Sequence, residues 1–113
     1  MIVCLRTVDI PAAMRRRYLD WIADGRGPRE RHGMLAELVC EPASGDGDTV
    51  VITIWPDHAT FDAWIATPER DALTDSDIHQ AVDYRPITRH DVVGGHLNLV
   101  GLHQAAPAPK EAI

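Results

Sequence analysis

The sequence predicts an α+β domain of the ferredoxin-like kind, two split β-α-β halves folding an antiparallel sheet with helices on one side. Three observations carry that prediction. First, TVVITIWPDHATFDAWIATPERDAL, from Thr49 to Leu73, sets the clearest strand and the clearest helix on either side of one turn. Second, the periodicities run β, α, short α, β, β, α, short α, β, the order of two such halves. Third, the strands carry Val, Ile and Leu on both parities, and the ferredoxin-like arrangement puts its helices on one sheet face only. The other face is left apolar and open, and we expect a second copy of the chain to cover it.

Each element has its own justification. Ile2 to Val8 alternates weakly, with Ile2, Cys4, Arg6 and Val8 on one side and Val3, Leu5 and Thr7 on the other. Arg6 interrupts the apolar set. Pro11 suits the first position of a helix, and Met14, Tyr18, Trp21 and Ile22 then recur on one helical face. Gly25, Gly27 and Pro28 should end it, with one more turn over residues 28–33. MLAELVCE, Met34 to Glu41, reads as a strand. The turn-forming EPASGDGD makes it one arm of an antiparallel hairpin with the strand from Val50 to Trp55. Pro56 stops that strand and Asp57 caps the next helix, on which Phe61, Trp64 and Ile65 share a face. Thr67-Pro68 starts a turn running through Leu73. Ile78 and Val82 mark another short helix begun by Thr74 or Ser76, and Ile87 to Val93 is the last strand. Gly94-Gly95 should bend the chain, HLNLVGLH is apolar enough to pack on something, and QAAPAPKEAI should be loose.

Bulk properties exclude several classes. A chain of 113 residues holds one domain, and no apolar run approaches the ~20 residues that a membrane span requires. The N-terminus has too short an apolar stretch for a signal peptide, so a cytoplasmic protein is expected. A net charge of −6 argues against nucleic acid or an anionic membrane as partner. Arg15, Arg16, Arg17, Arg26, Arg29 and Arg31 make a local basic stretch that reads as a solvated helix face and loop. Cys4 and Cys40 are too few for a zinc pattern and should be small buried hydrophobes.

The strand TVVITIW, the following PDHATFDAWIATPE and an opening strand running into Pro11 together resemble the antibiotic biosynthesis monooxygenase family of the dimeric α+β barrel superfamily. The resemblance covers residues 1–93 in element order and is specific at the residue level only in the central stretch. It implies a domain over residues 1–100, a C-terminal tail over 101–113, a homodimer with its sheets face to face, and a small-molecule cavity between sheet and helices. The haem-degrading branch would bring an Asn on the first strand, a Trp on the helix and a His nine residues later. Trp64 matches, but Leu73 stands where that His belongs, the first strand offers Arg6 and Thr7, and His79 lies six residues further on. That branch is therefore demoted. The quinone-forming branch is similar at Trp55, with Phe61 at an aromatic position that lacks a phenolic oxygen. It implies a reaction without flavin or metal on a phenol, dihydroquinone or similar enolisable metabolite, so no cofactor is expected. The different-class alternative is a non-catalytic module that binds a small ligand or serves assembly.

Polar candidates follow from that chemistry. His79 is the candidate base, because an imidazole exchanges protons near neutrality; the competing reading is an exposed His on the polar turn DSDIHQ. Arg6 is placed with it as a catalytic residue holding a phenolate or carboxylate, against an ordinary salt bridge at the sheet edge. Trp55, Trp64, Phe61, Tyr84 and Arg89 are the candidate substrate contacts, against plain core or dimer-interface roles. No metal site is expected. His90 and His96 are about 20 Å apart at ~3.3 Å per residue, too far for one ion within a chain, which leaves His90, His96 and His103 only a site between subunits.

Overall fold

The computed structural model describes residues 1–105. Strand β1 (Ile2–Asp9) runs into a 3-10 turn at Ala12–Met14, helix α1 (Arg15–Asp24) and helix α2 (Arg26–Arg31). The hairpin β2 (Ala36–Cys40) and β3 (Thr49–Trp55) follows, then α3 (His58–Ile65), α4 (Pro68–Thr74) and α5 (Asp77–Gln80). The chain closes with β4 (Asp83–Tyr84), β5 (Thr88–Asp91) and α6 (Leu99–Ala105). All pairings are antiparallel, in the order β2-β3-β1-β4, with β5 also on β1. β4 pairs with the end of β1 and β5 with its beginning, so the two are segments of one interrupted edge strand. This is the ferredoxin-like α+β fold expected from the element order.

Register decides which side chains meet. Ile2 opposes Trp55, Cys4 opposes Thr53, Arg6 opposes Val51 and Val8 opposes Thr49, so these eight residues share the face under the helices. Two clusters form there. One gathers Ile2, Cys4, Met34, Trp55, Phe61 and Trp64. The other gathers Val8, Tyr18, Ile22, Val51, Ile78 and Val82. Neither contains Val3, Leu5, Val50, Ile52 or Ile54, which stand on the opposite face with Leu38, itself 47% exposed.

The helix starts are local chemistry. Asp57 Oδ1 accepts from Thr60 N at 2.7 Å, Thr67 Oγ1 from Arg70 N at 3.1 Å, and Ser76 Oγ from His79 N at 3.0 Å. The six arginines of the basic stretch are each ion-paired, to Glu41, Asp20, Asp77, Glu37 and Glu69. They are neutralised locally, which is why the stretch makes no basic patch.

Several expectations need correction. Pro11 precedes a 3-10 turn and α1 starts only at Arg15, while Gly27 and Pro28 lie inside α2 and do not terminate α1. Pro28 is tolerated because it sits in the first turn, where backbone N–H groups have no partner within the helix. Cys4 is buried as expected but Cys40 is exposed, because it ends an edge strand on the uncovered side. The last strand is shorter than 87–93 and is split, and Gly95 at φ +129° makes the bend beyond it. Helix α6 carries Leu99, Val100 and Leu102 exposed. Of the segment expected to be loose, residues 106–113 lie outside the described residues.

Candidate functional site

Strand alternation lays Cys4 and Arg6 of β1, Val51, Thr53 and Trp55 of β3, and Glu37 of β2 side by side as a floor. The roof comes from three helices. It comprises Tyr18, Trp21 and Ile22 from α1, Phe61, Trp64 and Ile65 from α3, and Arg70, Leu73 and Thr74 from α4. Between floor and roof lies a cavity of about 90 Å³, where the two core clusters meet.

The two ends of this space differ chemically. At one end, Trp55 packs edge-on to Phe61 with centroids 5.2 Å apart, and its indole N–H donates to Thr53 Oγ1 at 3.0 Å. Trp21 donates to the Leu73 carbonyl at 3.2 Å. With those N–H groups satisfied, the indoles offer only ring faces to a guest. At the other end Arg6 projects from the sheet with its guanidinium 4.9 Å above the Tyr84 ring. Among the described residues no carboxylate comes within ion-pair distance of Arg6 or of Arg70, while Glu37 is held by Arg29 and Arg26. Burial lowers the Arg6 pKa from its ordinary value, and the positive charges of Arg70 and Arg29 add to the effect. A guanidinium nevertheless stays charged in proteins.

Behind Arg6 stands a row of mutually tilted rings. His79 lies 4.5 Å from Tyr84 and 5.5 Å from Trp21, which in turn lies 5.5 Å from Tyr18. Burial, then the charges of Arg6 and Arg70, lowers the His79 pKa below the ordinary histidine value, so its ring is neutral at pH 7. Burial pushes the Tyr18 phenol up and the Tyr84 phenol far up, so both remain protonated. The Tyr84 and Tyr18 hydroxyls share a hydrogen bond short of ideal alignment, and His79 Nδ1 is buried with no hydrogen-bond partner among the described residues. Unsatisfied buried polar atoms are costly and rare. Such an atom on His79, beside a guanidinium with no carboxylate partner among the described residues, singles out this end of the cavity.

Four of the sequence-selected residues, Arg6, Trp55, Phe61 and Trp64, come together as cavity walls. Tyr84 and His79 form a layer behind Arg6 and do not line the cavity. Arg89 lies away from it, over the Phe61 ring at 4.8 Å and paired with Asp62 at 2.7 Å. Sequence reasoning missed Tyr18, Trp21, Arg70, Thr53 and the Glu37 ion pairs as parts of the site. Glu37 left a readable signal: it shares parity with Val39 on the side of the hairpin that faces the helices. Arg70, in a helix of mostly polar residues, left none.

The fold is that of the antibiotic biosynthesis monooxygenases. A variant of SnoaB, a cofactor-independent oxygenase from Streptomyces nogalater, superposes with a TM-score of 0.72 at 14% identity over 83% of this chain and 94% of that one. The haem degrader MhuD from Mycobacterium tuberculosis, with two haems bound, gives 0.69 at 20% identity over 85% and 99%. A structure called simply antibiotic biosynthesis monooxygenase gives 0.66 at 21% over 83% and 100%. No family model and no curated protein sequence matches the chain.

Haem does not fit the residues present. Leu73, nine residues after Trp64, is itself a cavity wall, and among the described residues no histidine lines the space to hold the iron. Among the described residues no three His, Cys, Asp or Glu side chains cluster as metal ligands, and no helix is long and apolar enough to cross a membrane.

Proposed function

We propose that the protein is a small-molecule enzyme, a monooxygenase that works without a cofactor on a phenol, dihydroquinone or similar enolisable metabolite. The observation that carries this reading is the Arg6 guanidinium, without an acidic partner among the described residues, at one end of a space whose other end is walled by aromatic rings. A cation held in an apolar site favours ionisation of a phenol or enol beside it, since the charge interaction is strong where water is scarce. The resulting anion gives one electron to dioxygen. Recombination forms a carbon–oxygen bond to a peroxide, which takes up a proton, and loss of water from the hydroperoxide leaves a carbonyl. Arg6 would stabilise the anion and the rings would hold the substrate flat and dry. The substrate's proton would leave to solvent water at the open side of the cavity, and neutral His79, one layer back, is the side chain that would take it up from that water.

Aerobic incubation with a panel of phenols and dihydroquinones tests the proposal. Oxygen uptake should appear with at least one of them, and Arg6→Met should abolish it. A His79→Ala variant of unchanged rate would remove the proton-accepting role and leave the rest. One observation favours the second reading, a ligand-binding module without catalysis: no histidine lines the cavity itself. Tight binding without oxygen consumption by any member of the panel would decide for it.

The open face carrying Val3, Leu5, Val50, Ile52, Ile54 and Leu38 supports a homodimer with the sheets packed together. Equilibrium sedimentation at micromolar concentration should give twice the chain mass.

A further inference from the structure

We infer that the ligand of this cavity is a single-ring aromatic acid, a phenol or dihydroquinone that also carries a permanent carboxylate. The inference deepens the proposed function and rests on it for the identity of the ring hydroxyl, whereas the carboxylate is argued from charge alone. The ionisable cavity walls include three guanidiniums, Arg6, Arg29 and Arg70, against the one carboxylate of Glu37. Glu37 is already committed, since Arg29 Nε lies at 2.9 Å from one of its oxygens and Arg26 Nη2 at 2.9 Å from the other. Arg6 and Arg70 therefore face the same space as like charges, each without an acidic partner among the described residues. Half-buried like charges are unfavourable until an anion joins them.

A phenolate formed during turnover would balance one of the two, and only while the reaction lasts. A carboxylate on the ligand balances the other from the start, and a guanidinium fork matches its two oxygens in a way no neutral group does. The remaining polar wall on this side, the protonated Tyr18 hydroxyl, can donate as well. An end rich in donors selects an anion.

Size sets the second limit. A cavity of ~150 Å³ takes up benzene. At about 90 Å³ the present space admits one ring after modest side-chain adjustment, and a fused polycycle would need the floor and roof to separate. The ring belongs at the Trp55, Phe61 and Trp64 end and the carboxylate at the Arg6 and Arg70 end.

Tryptophan fluorescence provides the readout, because Trp21, Trp55 and Trp64 all line the space. The probes are a dihydroxybenzoate, its uncharged and isosteric primary amide, and a dihydroxynaphthoate, titrated at pH 7. The acid should bind about 10- to 100-fold more tightly than the amide, the range for a charge-assisted hydrogen bond. Arg70→Gln should erase most of that preference and leave the amide's affinity within about twofold. The naphthoate should bind more weakly than the benzoate. Equal affinity for acid and amide, or tighter binding of the naphthoate, overturns the inference. Preferential binding of the acid without oxygen uptake sustains it and removes the oxygenase reading. Oxygen uptake as fast with the amide as with the acid does the reverse.

Discussion

The two core clusters of this protein share one sheet and one layer of helices, yet they are built to different rules. The cluster under α3, with Trp55, Phe61 and Trp64, satisfies the Trp55 indole N–H on Thr53 and offers mostly aromatic surface to the cavity. The cluster under α1 and α5, with Tyr18, Ile22 and Ile78, borders Arg6, His79 and Tyr84, and there His79 Nδ1 has no hydrogen-bond partner among the described residues. The first region is therefore expected to carry the larger share of the stability. The second gives some of it up, as expected where a site must keep polar groups ready for a ligand. Local economy of hydrogen bonding thus separates the scaffold from the site even though both are equally well buried.

That contrast can be broken by substitution at its two poles. Trp55 is 1% exposed, and Trp55→Ala should cost ~3–5 kcal/mol in chemical denaturation. A loss below about 1 kcal/mol would show that the α3 cluster is not the stabilising half. Glu37, whose side chain is 1% exposed between arginines, lies where the halves join. Glu37→Gln should cost about 3 kcal/mol, because Arg29 is left charged and half-buried. In the second cluster the expectation changes sign. Arg6→Met trades a cation–ring contact of ~0.5–2 kcal/mol for relief of a desolvated charge, so stability should hold or rise while ligand binding disappears. A large loss of stability there would mean that Arg6 is structural.

Two smaller effects sharpen the same comparison. The His79 pKa is lowered in the folded state, so below the ordinary histidine value the unfolded chain binds more protons and stability falls as pH falls. His79→Gln should flatten that acid limb of a melting-temperature profile between pH 7 and pH 5, roughly the window in which an unperturbed imidazole titrates. An unchanged profile would show that the ring is solvated. Thr67→Ala removes the cap of α4, the helix that carries Arg70, and should cost ~1 kcal/mol with a parallel weakening of anion binding. Stability lost without weaker binding would separate Arg70 from the site.

Much of the scaffold was legible residue by residue. Pro56 and Asp57 marked the turn from β3 to α3, Ser76 opened α5, and Phe61 with Trp64 announced the face that α3 buries. Those signals are local: a cap or a periodicity acts within one or two turns of chain. The site was legible only in part. Arg6 stood out by interrupting a buried parity, and Trp55, Phe61 and Trp64 by bulk. His79 read as exposed or catalytic, and it is neither an exposed residue nor a cavity wall. Cys40 read as buried because the sequence does not say which strand lies at the edge of a sheet.

Sequence alone determined the order of strands and helices from β1 to α5, the stripe α3 buries and the excess of apolar strand surface over helix cover, but neither the split of the last strand nor α6. These follow from backbone geometry and transfer free energy within short segments. Tertiary structure alone decided that Arg70, 64 positions along the chain from Arg6, shares a cavity with it, and that Glu37 is spent on Arg29 and Arg26. Charge compensation is a property of distance in space, and only the register of β1 on β3 and the docking of α4 over them fix those distances.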